Sequence, residues 1–152
     1  MSGRSDFVVD QALTVRRIAV VRAHMEAEND HDFDAVIATF ARPRYELMAT
    51  GLVFDGEDEV RDYFARSRSV FPDQRNENVV LRSADDAIIA EFDLLGTHRK
   101  TGRSFCSRMV ALFIFDGDHI VCERVYFDRT SIENQVRPPS VSSEEAQSGS
   151  SG

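Results

Sequence analysis

Glu91 and Asp93 stand two residues apart in the run Ile89-Ala90-Glu91-Phe92-Asp93-Leu94, and Arg108 and Glu123 recur in two later runs of the same alternating kind. Residues at i and i+2 of a strand share a face, and residues opposite one another on adjacent strands lie about 5 Å apart. Carboxylates gathered in this way in an apolar enclosure repel one another and lose hydration, so at least one carboxyl pKa moves up towards neutrality. General acid–base catalysis near neutral pH needs such a group. Asp93 and Glu123 are the candidate acid and base, Glu91 the third carboxylate and Arg108 the cation that holds one of them ionised. The competing reading leaves Glu91 and Asp93 at a solvated part of the sheet and makes Arg108–Glu123 an ordinary cross-strand ion pair.

Other residues extend the set. Tyr45, at the start of an early strand, could donate its hydroxyl to a carbonyl, epoxide or enolate oxygen, or be a half-buried aromatic with one hydrogen bond. His98 is a rim proton shuttle or a surface residue. Asp128 projects into the mouth of the site, caps the last helix or pairs with Arg124. His24, His31 and His119 are scattered, and no role is assigned to them. There is no C-x-x-C, no His pair at i, i+4 and no glycine-rich phosphate loop after a strand, so the expectation is a site that holds no metal and needs no cofactor.

Positioning these groups requires helices followed by a sheet. A helix is expected over 8–28, with Val8, Ala12, Val15 and Ala19 as its apolar stripe and Ile18, Val21 and Met25 beside it. Asp32 caps a second helix carrying Phe33, Val36, Ile37 and Phe40, which stops before Pro43. A short strand covers 45–50, and Asp55-Gly56 opens a third helix with Val60, Tyr63, Phe64, Val70 and Phe71 on one side. From Asn76 the period changes to two, giving antiparallel strands over about 76–83, 86–98, 104–115 and 119–128. Thr130 and Glu133 have the spacing of a capping box at a last helix. Beyond Pro138 the chain is polar and is expected to be a disordered tail over 138–152, leaving one domain over 1–137.

With Asp116-Gly117 as the central turn residues, Arg108 falls opposite Val125 and Val110 opposite Glu123. The turn at Lys100–Arg103 puts Glu91 and Asp93 on the face of Arg108 and Val110. Leu47, Phe64, Val110, Val125 and Phe127 are the candidate apolar lining for a small apolar molecule. Both sheet faces are too apolar to be left in water, so helices are expected over one and a second copy of the chain over the other, as a homodimer.

Length and composition agree with this plan. The 152 residues are 42% hydrophobic with 11 Phe, enough for one core. The net charge of −8 and the absence of a basic patch argue against a nucleic-acid or anionic-membrane partner. No run is long and apolar enough to span a bilayer and the N-terminus has no apolar leader core, so a cytoplasmic protein is expected. Cys106 and Cys122 fall out of register on neighbouring strands and are expected to be reduced, buried packing residues.

The helical hairpin, short strand, third helix, four antiparallel strands and terminal helix resemble the nuclear transport factor two-like fold over about residues 8–136. The carrying segments are Arg42-Pro43-Arg44-Tyr45, Gly96-Thr97-His98, Phe115-Asp116-Gly117 and the closing Tyr126-Phe127-Asp128. The chain is most similar to the SnoaL-like polyketide cyclases and more distantly to limonene epoxide hydrolases. The resemblance implies an α+β barrel, a cone-shaped curved mixed sheet wrapped around the helical hairpin and third helix. It also implies cofactor-independent cyclisation, isomerisation, dehydration or epoxide opening, with a non-catalytic ligand-binding or dimeric interaction module as the alternative. Residue by residue, Val125 stands where the cyclases carry their base Asp and Val110 where they carry a His. Of the epoxide-hydrolase set, Tyr45 and Asp93 are retained, while Glu91, Leu47 and Val125 stand at the Arg, Asn and Asp positions.

Overall fold

In the computed structural model, residues 3–140 are described, with side chains from Gln11 onward; most of the expected tail, 141–152, lies outside the described residues. The order of elements is α1 (Gly3–Asn29), α2 (Phe33–Ala38), β1 (Arg44–Leu47), β2 (Leu52–Asp55), α3 (Glu57–Val70), β3 (Arg75–Ser83), β4 (Ala87–Thr97), β5 (Ser104–Asp116), β6 (His119–Tyr126) and α4 (Arg129–Val136). The six strands form one sheet in the order β2-β1-β6-β5-β4-β3. β1 and β6 run parallel and the other neighbours antiparallel. The result is a mixed α+β architecture in which α1 lies on β3 and β4, and α3 on β1 and β2.

The local signals explain most boundaries. Asp32 accepts from the Ala35 N–H at 3.1 Å and starts α2. Gly56, at φ 90°, turns the chain into α3 with a backbone that a side chain would strain. The expected strand over 45–50 is the first arm of a hairpin whose second arm, β2, was not anticipated because Leu52 and Val53 lie half-exposed at the sheet edge. At α4 the cap is Asp128, which accepts from the Ser131 N–H at 2.9 Å, and not the Thr130–Glu133 box.

Two differences from the sequence expectation matter for function. The buried face of α1 carries Arg17, Val21, His24 and Met25, whereas Ala12, Val15 and Ala19 face solvent. Arg17 reaches across to the Gly117 carbonyl at 2.8 Å and the Asp85 carbonyl at 3.2 Å, tying the helix to two hairpin turns.

The β5–β6 hairpin also turns one residue later, at Gly117-Asp118 with Asp116 opposite His119, and a β-bulge follows. Phe115 pairs with Ile120 but Ile114 with Cys122, so Val121 is the extra residue. Moving the turn alone would leave the faces unchanged, because it displaces the pairing by two. The bulge displaces it by one and turns every later β6 side chain to the opposite face. Glu123 therefore pairs with Phe113 and points inward, while Arg124 and Tyr126 point out. Both cysteines are free, and Cys106 is exposed, contrary to the expected burial.

Candidate active site

The inner face of the sheet, α3 and α4 line an open cavity of about 630 Å³. Its wall is mostly apolar, with Leu47, Phe54, Tyr63, Met109, Val125 and Phe127 among its members, and Arg66, Arg129 and Glu133 also line it. β1 and β6 supply Leu47 and Val125 as a facing pair, and α4 contributes Ile132 and Val136 at the mouth. Gly96 lets the wall close: a Cβ there would meet Phe105 Cε1 at 2.9 Å and Phe71 Cβ at 3.3 Å, and both phenylalanines line the cavity. A second, inner chamber of about 40 Å³ shares Tyr63, Gln74, Leu94, Met109 and Val125 with the first. Its remaining lining is polar: Glu28, Tyr45, Arg68, Asn76 and Glu123, with Phe92.

Behind that chamber lies His24, fully buried. Its Nε2 is 3.0 Å from Glu28 Oε1, 3.1 Å from Glu123 Oε2 and 3.2 Å from the Tyr45 hydroxyl. Its Nδ1 is 2.8 Å from Thr39 Oγ1. The Thr39 hydroxyl donates to the Val36 carbonyl at 2.6 Å and so can only accept from the ring, which places a proton on Nδ1. With both carboxylates ionised, Nε2 carries a second proton rather than turning a lone pair towards them. The imidazolium follows from this arrangement.

The electrostatics agree. Burial alone would depress the His24 pKa, but Glu28 and Glu123 overcome it and raise the value to about 10. Burial, reinforced by Glu28, raises the Glu123 carboxyl, and the hydrogen bond from His24 works against that rise. Burial and the charge on Glu123 push the Tyr45 phenol well up, so it remains a donor. One Nε2–H faces three oxygens, leaving the Tyr45 proton for Glu123. Ligand atoms of His24, Glu28 and Glu123 all lie within 4.8 Å of one another, which makes them the residues that could hold a metal ion. With Nε2 protonated, the imidazolium occupies the cation's place, and a metal would have to displace that proton.

The sequence-predicted quartet is divided. Glu91, Asp93 and Arg108 do share a face, with Asp93 opposite Arg108, but it is the outer face. Arg108 NH1 is 3.3 Å from Asp93 Oδ1, Asn78 donates to Asp93 Oδ2 at 2.8 Å, and Arg82 pairs with Glu91. Asn78, then Arg108, hold the Asp93 carboxyl below its ordinary range, the reverse of the rise expected for an enclosed acid. A shared dry enclosure for all four is thus corrected, because the bulge sends Glu123 alone to the inside. Val110, opposite Glu91 and Tyr126, lies on the outer face and away from the cavity. Leu47, Val125 and Phe127 line the cavity, while Phe64 packs behind Tyr45 and Phe33. His98 is at the cavity wall, its Nδ1 accepting from the Thr101 N–H at 3.2 Å, and Asp128 serves as the α4 cap.

His24 and Glu28 were missed. The available signal was their own spacing: Arg17, Val21, His24 and Glu28 follow one another at intervals of four, three and four, one helical face. Polar residues on that face interrupt the apolar period that ordinarily marks a buried helix side.

A cone of mixed sheet closed by helices, with an apolar cavity ending on a buried polar floor, is the architecture of nuclear transport factor two-like proteins, and solved structures bear out the likeness. Residues 21–123 match the family model of the SnoaL-like domain, and the chain belongs to that family. A putative polyketide cyclase from Xanthomonas campestris superposes with a TM-score of 0.75 at 21% identity, over 80% of this chain and 97% of that one. An NTF2-like protein from Burkholderia thailandensis gives 0.71 at 26% identity, over 79% and 96%. A protein of ketosteroid isomerase-like fold from Catenulispora acidiphila, in complex with trimethylamine, gives 0.72 at 21% identity, over 79% and 93%. No curated protein matches the chain.

Proposed function

We propose that this protein is a cofactor-independent enzyme that moves a proton on a small, largely apolar molecule, with Glu123 as the group that takes and returns it. One observation carries the reading: a buried carboxylate lies at the polar inner end of a mostly apolar cavity, 3.1 Å from an imidazolium. Burial raises Glu123 and His24 restrains it, which leaves the carboxyl able to exchange its proton. Tyr45 supplies a hydrogen bond to Glu123, and Thr39 holds the His24 ring in one orientation. Cyclisation, isomerisation, dehydration and epoxide opening all begin or end with such a transfer. Asp93, Glu91 and Arg108 have no part in it, since they face outward.

A second reading is favoured by the pairing itself. His24 already neutralises one carboxylate, so the cluster also suits a binding module whose polar floor only orients its ligand. The two readings separate on a probe: 2-acetylnaphthalene and 1-tetralone in D₂O, followed by NMR for deuteration next to the carbonyl. The enzyme reading expects deuteration faster than in buffer, rising with pH as Glu123 ionises, and lost in Glu123→Gln. Binding of both ketones without any acceleration would contradict it.

A second copy of the chain is proposed on the outer sheet face. Ile89, Val110, Leu112, Ile114 and Val121 remain partly exposed there and Tyr126 is 43% exposed, more apolar surface than a solvated face usually shows.

A further inference from the structure

One of the residues that line the inner chamber carries a polar group that its surroundings leave unsatisfied. Arg68, on α3, has a side chain only 10% exposed. Its NH1 donates to Ser67 Oγ at 2.8 Å and its NH2 lies 3.9 Å from Glu28 Oε2. The guanidinium sits over the rings of Phe33 and Phe64, 5.2 and 5.9 Å from their centroids. Its Nε–H is buried with no partner, the one such side-chain atom among the described residues. Leaving a charged group's donor unpaired is unfavourable, and native proteins seldom do so without a ligand or water to meet it.

Resting on the reading of the cavity as a ligand site, we propose that Arg68 Nε is the anchor for an uncharged acceptor oxygen, of carbonyl type, on the apolar ligand. Size and charge define the class. The chamber's 40 Å³ accommodates about three water-sized atoms, by the ~10–15 Å³ that one water requires, which suits a carbonyl and excludes a phosphate or sulfonate. Around the same chamber the carboxylates of Glu28 and Glu123 are matched by the cations of Arg68 and His24, so a buried carboxylate there would add an unmatched charge, whereas a neutral oxygen leaves the balance intact. The adjoining apolar cavity takes the remainder of the molecule. Arg68 is thus a specificity residue that sets which end of the ligand enters first.

Three probes with one apolar body test this: 2-acetylnaphthalene, its oxygen-free isostere 2-isopropenylnaphthalene, and 2-naphthoate, titrated by fluorescence. The ketone-to-alkene affinity ratio is expected to fall at least about tenfold in Arg68→Met, the loss of a hydrogen bond from a charged donor. Arg68→Lys keeps the charge and stem but has no donor at the Nε position, and the same fall is expected. The alkene's own affinity, which reports that the variants fold and keep the cavity, is expected to change less than about threefold. A ratio unchanged in both variants, as a trapped water on Nε would give, or naphthoate as the tightest wild-type ligand, overturns the assignment to Arg68. Binding of none of the probes overturns both this and the ligand-site reading. A ratio that falls as expected without catalysed deuteration contradicts only the proton-transfer reading.

Discussion

His24 Nε2 and Glu123 Oε2 are 3.1 Å apart, although 99 residues separate them in the chain. The contact joins the first helix to the last strand in the centre of the molecule. It exists because a one-residue bulge at Val121 turns Glu123 inward and because α1 buries the face that carries His24.

Removing the imidazolium leaves Glu123 facing Glu28 without a cation of its own, and Glu28 with only the Arg68 guanidinium, 3.9 Å away. His24→Gln is expected to lower unfolding stability by about 3–5 kcal/mol, as for other broken buried pairs. Adding Glu123→Gln should recover part of that loss. A double-mutant cycle in urea checks both; additive losses would show that the two side chains do not interact.

Stability should fall as pH rises, opposite to the behaviour of ordinary ion-paired carboxylates. Both groups bind protons more tightly folded than unfolded. Their contribution is complete below the unfolded values of 4.5 for Glu123 and 6.5 for His24. It is lost with rising pH, the His24 part disappearing as pH passes about 10. The slope above pH 6.5 can approach about 1.4 kcal/mol per pH unit, the value for one proton. Urea unfolding of the wild type and of His24→Gln between pH 6 and 10 measures it, and the variant is expected to be flatter.

The outer acidic residues should be silent in the chemistry. Asp93→Asn is expected to leave probe binding, probe deuteration and their pH profiles unchanged, because Asp93 faces Asn78 and Arg108 on the far side of the sheet. The same assays on Glu123→Gln should lose the titrating step.

Gly96→Ala would push a methyl group against Phe105 and Phe71. A cost of about 1–3 kcal/mol is expected from overpacking. The affinity of 2-isopropenylnaphthalene should fall with it, since both rings line the cavity. Thermal unfolding and the fluorescence titration report the two effects separately.

Charging the outer face should separate copies. Wild type is expected to sediment as a dimer at micromolar concentration and Leu112→Glu as a monomer, with the inner cavity still binding the probes. A monomeric wild type would remove the dimer proposal.

Most of this scaffold was legible in the sequence, for identifiable reasons. Period-two alternation after Asn76 marks β3–β6, and the shared face of Asp93 and Arg108 follows from the Lys100–Arg103 turn whichever way it closes. β2 escaped because its exposed edge residues do not alternate. Two small features hid the site. Ile120-Val121-Cys122 is apolar at every position, so nothing in it marks Val121 as the bulged residue, and that one residue decides which way Glu123 points. On α1, the charged side chains of Arg17, His24 and Glu28 occupy the face turned to the sheet, because each finds a partner there that the one-dimensional pattern does not display.

The central claim is that Glu123 is a titrating carboxyl at the inner end of a ligand cavity. It is tested most directly by ¹³C NMR of glutamate-labelled protein, with Glu123→Gln identifying the resonance. The signal is expected to titrate above the ordinary glutamate range and to shift when 2-acetylnaphthalene binds. A midpoint at the ordinary value, indifferent to the bound ketone, would contradict the account.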